Sequence, residues 1–287
     1  MDLRALAMGL VFSLMWSSAF ATARVIVADA PPLWALTLRF ALSGLIAVAV
    51  ARALGQSWQL TRPVARSVII FGLCQNALYL GLNFVALQWV QASVASIIAS
   101  SMPLIVAVLG WLWRGERVAP LGQIGLALGF AGVALIMGTR LSGGSDPLGL
   151  ALCVLGATAL AVATLTVRSV SAGGNLLMVV GLQMWVGALI LGFAAALTEP
   201  LTVTLSLPLI AAFLYQVLIP GLAATLLWFT LVKRVGAVRA STYHFLNPFF
   251  GVAVAGALLG EAISATDIAG VLIAMAGILA VQLAKRP

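Results

Sequence analysis

Two related stretches decide the fold: residues 90–116 read VQASVASIIASSMPLIVAVLGWLWRGE, and residues 235–261 read VGAVRASTYHFLNPFFGVAVAGALLGE. Each is a long apolar run with a proline in its interior, and each ends on a Gly-Glu pair. The match continues without a gap over residues 90–136 and 235–281, where ten of the 47 paired positions are identical. A repeat of this length in apolar sequence predicts duplicated membrane-spanning units.

The composition excludes a soluble protein. Hydrophobic residues make up 63% of the 287 residues, charged residues make up 8%, and the mean hydropathy is +1.17. A typical soluble domain is about 45–50% apolar and about 25% charged, so this chain has too few charges to solvate a globular surface. We therefore predict an all-α polytopic membrane protein. The net charge of +8 does not indicate a nucleic-acid partner, because the basic residues are scattered singly.

The chain contains ten apolar runs that are long enough for a membrane helix, which takes about 20 residues. The runs cover residues 4–26, 32–54, 66–86, 89–113, 120–138, 148–168, 175–197, 206–231, 236–259 and 266–284. Turn-forming or charged residues separate them. A transmembrane β-barrel is excluded because the runs do not alternate apolar and polar residues.

The basic residues indicate which ends of the spans are cytoplasmic. If the N-terminus is inside, 12 of the 15 Lys and Arg residues fall in cytoplasmic segments, two fall outside and Arg39 lies within a span. We therefore predict cytoplasmic N- and C-termini in a multi-pass protein of the bacterial inner membrane. Ala19-Phe20-Ala21 resembles a signal-peptide cleavage site. The repeat needs this first helix, however, so we predict no cleaved signal peptide.

The repeat divides the chain into residues 1–143 and 144–287, with five predicted spans in each unit. Because five is odd, the second unit must enter the membrane in the opposite sense, which makes an inverted-topology repeat. Two such units form a site near the middle of the membrane, and exchanging their conformations opens that site to opposite sides. Gly125, Gly129 and Gly132 permit close helix packing, and we expect such glycine seams to join the units so that a monomer suffices.

Short motifs in both units carry a family resemblance. They are Trp16-Ser17-Ser18, Arg39-Phe40, and the two pairs Pro103…Gly115-Glu116 and Pro248…Gly260-Glu261. On these motifs and on the doubled five-span arrangement, essentially the whole chain resembles the EamA type of the drug/metabolite transporter superfamily. Within that family it is most similar to the YddG-like amino-acid exporters. The resemblance implies ten helices around a central cavity and export of amino acids or related metabolites.

Polar residues inside the runs are candidates for a substrate path, because polar side chains in a membrane usually face the bundle interior. In the third run they recur at spacings of four and three residues and so share one helical face. The candidate cavity residues are Trp16, Ser17, Asn76, Tyr79, Asn83, Ser96, Ser100, Tyr243 and His244, and the candidates for a kink or hinge are Pro103 and Pro248. Amide, hydroxyl and imidazole groups suit a zwitterion. Hydrogen bonding between helices is the alternative, and we favour it for the serines.

Arg39 is the one basic residue that lies clearly within a span. Its long side chain can snorkel outward, bond helix carbonyls or meet a substrate carboxylate. The two structural roles are the favoured interpretation.

The positions of the acidic residues indicate whether transport is coupled to protons. All seven Asp and Glu residues lie at termini or between runs, so no carboxylate is placed in the membrane to carry a proton. His244 is the only histidine, and burial favours its neutral form. We therefore expect a secondary-type transporter that is uncoupled and runs down the substrate gradient. The alternative is a drug or nucleotide-sugar carrier of the same fold, with proton coupling through His244.

No catalytic, cofactor or metal site is predicted. One histidine without an intramembrane carboxylate leaves little from which to build a membrane-embedded enzyme. Cys74 and Cys153 lie inside apolar runs, where cysteines act as inert packing residues. The predicted partners are a small-molecule substrate and the lipid bilayer.

Overall fold

The structure is a computed structural model that describes residues 2–115, 117–140, 146–170, 175–259 and 264–284. Within these ranges every regular element is a helix. The helices are α1 (Leu3–Asp29), α2 (Pro32–Ala53), α3 (Arg62–Ala86), α4 (Ala92–Ala99), α5 (Met102–Arg114), α6 (Pro120–Arg140), α7 (Pro147–Val170), α8 (Leu176–Thr198), α9 (Leu207–Val235), α10 (Ala237–Ser241), α11 (Asn247–Leu259) and α12 (Ala265–Leu283). A 3₁₀ segment, Thr242–Leu246, joins α10 to α11.

Six of these helices are long and apolar enough to cross a membrane, namely α1, α2, α3, α7, α8 and α9. Shorter apolar stretches lie within α5, α6 and α12. The outer surface is also that of a membrane protein, because large apolar side chains such as Leu189 and Phe193 are 75% and 70% exposed. The chain is therefore a multi-pass helical membrane protein.

Two of the predicted apolar runs are interrupted. The run at 89–113 divides into α4 and α5 at Ser100 and Ser101, and the run at 236–259 divides around the 3₁₀ segment. Pro103 and Pro248 are the second residues of α5 and α11. Proline has no N–H to donate, so it is tolerated in the first turn of a helix, where that N–H would have no partner within the helix. Glu116 and the pair Gly260-Glu261 lie outside the described residues.

The beginning of α1 is held by an acidic residue. Asp2 accepts a hydrogen bond from the N–H of Ala5 at 3.2 Å, as an N-cap does. The Arg234 guanidinium, 2.5 Å from the same carboxylate, and the N–H of Ala5 hold the pKa of Asp2 below its usual range. This contact ties the first residues of α1 to the last turn of α9.

Helices α6 and α12 pack against each other in antiparallel orientation along a glycine seam. Gly125 lies against Gly277, and Gly132 lies against Gly270. A Cβ atom on Gly125 would stand 2.6 Å from the carbonyl oxygen of Gly277, so no larger residue fits. The predicted packing role of these glycines is confirmed, since the small residues let the two backbones approach closely.

Helices α2 and α8 form a second antiparallel pair. Gly44 and Gly181 face each other so closely that a Cβ on either would stand 3.0 Å from the carbonyl oxygen of the other. At one end of the pair, Glu199 after α8 accepts the N–H groups at the start of α2. At the other end, Gln56 after α2 accepts the N–H of Met178 in the first turn of α8 at 3.0 Å. Each helix thus caps its partner.

The remaining long helices connect the two halves of the chain. Helix α1 packs against α9 and α11, and helix α7 packs against α3 and α5. The first helix of each half therefore sits among helices of the other half. This exchange brings α1, α2, α3 and α9 together around the interior of the molecule.

Candidate functional site

A small central cavity of about 20 Å³ lies between α1, α2, α3 and α9. Of the predicted site residues, Trp16, Asn76, Tyr79 and Asn83 line it. The cavity holds about one water molecule. Two larger hollows, of about 650 Å³ beside α5 and α6 and about 460 Å³ beside α1, α2 and α9, are lined mostly by apolar side chains.

The walls of the cavity include two π-helical segments. They are Gly72–Leu80 in α3 and Val217–Ala223 in α9, and their first residues are 145 positions apart. A π turn takes in an extra residue and often marks a functional site. The segment in α9 contains Pro220, which has no N–H to donate to the Gln216 carbonyl oxygen four residues before it. Two side chains of α2 donate to this part of α9: Arg39 to the Gln216 carbonyl oxygen at 3.1 Å and Ser43 to the Val217 carbonyl oxygen at 3.0 Å.

Trp16 and Tyr79 form the aromatic wall of the cavity. The indole N–H of Trp16 donates to the Tyr79 hydroxyl at 3.3 Å. The two rings are parallel to within 5° and their centroids are 6.0 Å apart. Both residues are buried, so α1 and α3 hold these rings in one orientation at the cavity.

Arg39 of α2 also lines the cavity. The residue is 3% exposed, so its side chain does not snorkel to the membrane surface. Its Nε donates to the carbonyl oxygen of Gln216 at 3.1 Å, and its guanidinium carbon lies 5.2 Å from the centroid of the Phe40 ring. Its Nη1 is buried and has no hydrogen-bond partner. Among the described residues, no carboxylate forms an ion pair with it.

The polar residues of α3 differ in the hydrogen bonds that they make with other parts of the protein. Asn76 donates from Nδ2 to the carbonyl oxygen of Gln183 at 2.9 Å and also to the Gln183 side chain, so it joins α3 to α8. Asn83 donates to the Tyr79 carbonyl oxygen at 2.8 Å, within its own helix. The side-chain oxygens of Asn83 and Gln75 are buried without a partner. Both of these residues line the cavity.

His244 lies in an aromatic cluster next to the cavity and is not one of its lining residues. The rings of Phe12, Trp16 and Trp228 surround the imidazole, with centroids 5.3, 5.7 and 5.2 Å away and steep interplanar angles. Asn247 donates from Nδ2 to His244 Nδ1 at 2.8 Å. His244 Nε2 is buried without a partner. The cluster fills the space from Trp16 toward the N-terminal end of α1.

The other predicted residues contact protein groups. Ser17 donates to the Asn247 side chain at 3.2 Å, and Ser96 donates to the Asn247 carbonyl oxygen at 2.9 Å. Ser100, just after α4, donates to the Ser96 carbonyl oxygen of that helix. Tyr243 packs directly on Gly9, where a Cβ would collide with its ring. These serines therefore make hydrogen bonds between and within helices, which is the role that we favoured for them from the sequence.

Gln75 was missed although its spacing places it at the edge of the predicted face. It lies four residues before Tyr79, and residues four apart lie on the same side of a helix. In the structure Gln75 belongs to the π-helical segment of α3 and lines the cavity. Thr225, two residues after the matching segment in α9, lines the cavity as well. The spacing to Tyr79 was the available sequence signal for Gln75, and no such spacing marks Thr225.

The fold defines the class: a multi-pass helical membrane protein with a small polar cavity between four of its helices. The model of the EamA-like transporter family matches the chain twice, over residues 3–138 and 147–283. The chain therefore belongs to the EamA-like transporter family, within the drug/metabolite transporter superfamily, and is a membrane transporter.

Two relatives that align over most of this chain and most of their own length support this assignment. The chain is 27% identical over 272 residues to the uncharacterized transporter YvbV of Bacillus subtilis, with 94% of this chain and 88% of that protein covered. It is 27% identical to the uncharacterized inner membrane transporter YedA of Escherichia coli, with coverages of 89% and 84%. One solved crystal structure superimposes with a TM-score of 0.77 over 99% of this chain and 98% of that chain, at 21% identity, and so shares the fold.

Proposed function

We propose that this transporter exports amino acids or related small metabolites by alternating access across the bacterial inner membrane. The observation that carries the proposal is the central cavity, because buried amide, phenol and guanidinium groups meet there beside aromatic rings. Such groups bind the polar ends of a small metabolite, and the rings pack on its side chain. The cavity holds about one water molecule, so substrate must widen it, as the opening of one side does in alternating access.

The proposal includes ten spans in two inverted units, residues 1–143 and 144–287, with both termini in the cytoplasm. The glycine seam of α6 and α12 supports it. In the sequence repeat Gly125 corresponds to Gly270 and Gly132 to Gly277, whereas in space Gly125 faces Gly277 and Gly132 faces Gly270. A two-fold axis between inverted units gives this crossed pairing. Because the seam lies within one chain, we propose that the monomer is the functional unit.

Transport is proposed to be uncoupled. Asn247 is oriented by the bond from Ser17 to its oxygen, so its N–H groups face His244 Nδ1 and that nitrogen acts as an acceptor. This arrangement suits a neutral imidazole. His244 also stands outside the cavity lining, which supports a packing role rather than proton transfer.

Counterflow in proteoliposomes tests the proposed function. Vesicles that contain the purified protein and an unlabelled amino acid should take up the labelled amino acid faster than vesicles loaded with buffer. A panel of amino acids, sugars and cationic drugs identifies the substrate class. If no amino acid exchanges, the proposal is wrong, and exchange of drugs or nucleotide sugars alone would favour the alternative carrier.

A further inference from the structure

We propose that Arg39 binds the carboxylate of the substrate and that the side-chain oxygens of Gln75 and Asn83 bind its ammonium group. This inference rests on the proposed function and names the substrate class of the same cavity: small zwitterions, such as free α-amino acids. The two sets of groups come from different helices, with the cation on α2 and the acceptor oxygens on α3.

The buried charge of Arg39 has a cost in free energy. A guanidinium in the membrane interior is retained only where something offsets its desolvation. Arg39 has one bond to the Gln216 carbonyl oxygen and the neighbouring Phe40 ring, and its Nη1 has no partner. Within the described part of the chain no carboxylate pairs with it. A substrate carboxylate supplies the missing acceptor and the missing negative charge.

Arg39 has a neutral counterpart in the other unit. Leu38-Arg39-Phe40 corresponds to Leu182-Gln183-Met184 at a shift of 144 residues. Gln183 is equally buried, its side-chain oxygen accepts a hydrogen bond from Asn76 of the neighbouring helix, and its Nε2 has no partner. A neutral amide therefore meets the packing requirement at the matched position. Of these two residues, only Arg39 lines the cavity. We therefore assign its charge to ligand binding rather than to folding.

The acceptor oxygens at the cavity belong to two residues of α3. Gln75 Oε1 and Asn83 Oδ1 are buried, unpartnered and carried by residues that line the cavity. An unsatisfied buried acceptor costs free energy, which a bound ammonium group recovers. A cation facing two neutral acceptors selects a ligand with one negative and one positive end, and it disfavours an amine that lacks a carboxylate.

The test compares an amino acid with its carboxamide and its decarboxylated amine as competitors in the counterflow assay. For the unmodified protein, the amino acid should compete at least about tenfold better than either analogue, the usual size of a lost charge-assisted hydrogen bond. Equal competition by all three compounds in the unmodified protein would by itself overturn the inference.

Variants at position 39 provide the second arm. Arg39→Gln copies the residue of the other unit, and it should reduce amino-acid transport about tenfold or more while transport of the carboxamide stays within about twofold. Arg52→Gln removes the same charge from the exposed end of α2 and should change neither. Equal loss of both substrates in a variant of normal thermal stability contradicts the assignment, as does unchanged amino-acid transport. Failure of the unmodified protein to exchange any amino acid would instead contradict the proposed function.

Discussion

The hydroxyl of Tyr79 is predicted to contribute both to stability and to substrate binding. Tyr79→Phe keeps the ring that stacks on Trp16 and removes the acceptor of the indole N–H. We expect a loss of about 1 kcal/mol in the free energy of unfolding, typical of one buried hydrogen bond, together with a higher KM for substrate. Thermal unfolding in detergent and transport kinetics measure the two effects. A variant with the stability and the KM of the unmodified protein would remove Tyr79 from the site.

His244 gives a residue-scale prediction about energy coupling. His244→Gln retains a side-chain acceptor for Asn247 and has no group that titrates, so transport and its pH profile should persist in this variant. In vesicles of the unmodified protein, an imposed pH gradient should not concentrate the substrate. Accumulation that a protonophore abolishes, and that His244→Gln abolishes as well, would establish proton coupling through this residue.

Part of the candidate site could be predicted from the sequence at this scale. Asn76, Tyr79 and Asn83 recur at helical spacing in an otherwise apolar run, and that pattern identifies an interior face. The cavity also includes Gln75, which lies four residues before Tyr79 at the edge of that face, and Arg39, whose hydrogen-bond partner Gln216 lies 177 residues away in α9. A helical wheel can therefore indicate Gln75, but it contains no information on the packing of α2 against α9.

At the scale of the helices, Glu199 stabilises the beginning of α2. Its carboxylate accepts the N–H groups of Leu33 and Trp34 at 3.0–3.2 Å, where a helix N-terminus also favours negative charge. Glu199→Ala should lower the free energy of unfolding by about 1 kcal/mol, and Glu199→Gln, which keeps an acceptor oxygen, should lower it less. Thermal unfolding measures both. Equal stability of the alanine variant and the unmodified protein would show that the cap has no energetic role.

The glycine seam of α6 and α12 offers a matched pair of substitutions. Gly132→Ala places a methyl group against the Gly270 carbonyl oxygen and should destabilise the protein by about 1–3 kcal/mol. Gly138→Ala in the same helix meets open space, so alanine should be neutral or stabilising by up to about 1 kcal/mol. The difference between the two variants in thermal unfolding is the measurement. Equal effects would mean that the seam tolerates wider spacing.

The helices themselves could largely be predicted from the sequence, and their interior irregularities could not. Apolar length and the turn residues between the runs predict spans such as α1 and α2, since a buried backbone in lipid must be helical. The prolines indicate that the runs at 89–113 and 236–259 are not straight. The residues at which the helix stops depend on packing, as at Ser100 and Ser101, which precede the new helix α5.

At the scale of the whole molecule, the two halves pair corresponding helices in antiparallel orientation. The pairs α2 with α8 and α6 with α12 both join a helix of the first half to its counterpart in the second. Even the caps of α2 and α8 are reciprocal, through Glu199 and Gln56. The sequence repeat predicts duplication, and the odd number of predicted spans predicts inversion.

The most direct test of this central claim uses two matched positions outside the helices. Ser57 follows α2 and Thr202 follows α8, both are exposed, and they are 145 residues apart. In a background without Cys74 and Cys153, which are both buried, Ser57→Cys and Thr202→Cys are treated in intact cells with a membrane-impermeant maleimide. We predict that Thr202→Cys reacts from outside and that Ser57→Cys reacts only after the membrane is permeabilised. Labelling of both positions from the same side would contradict the inverted arrangement.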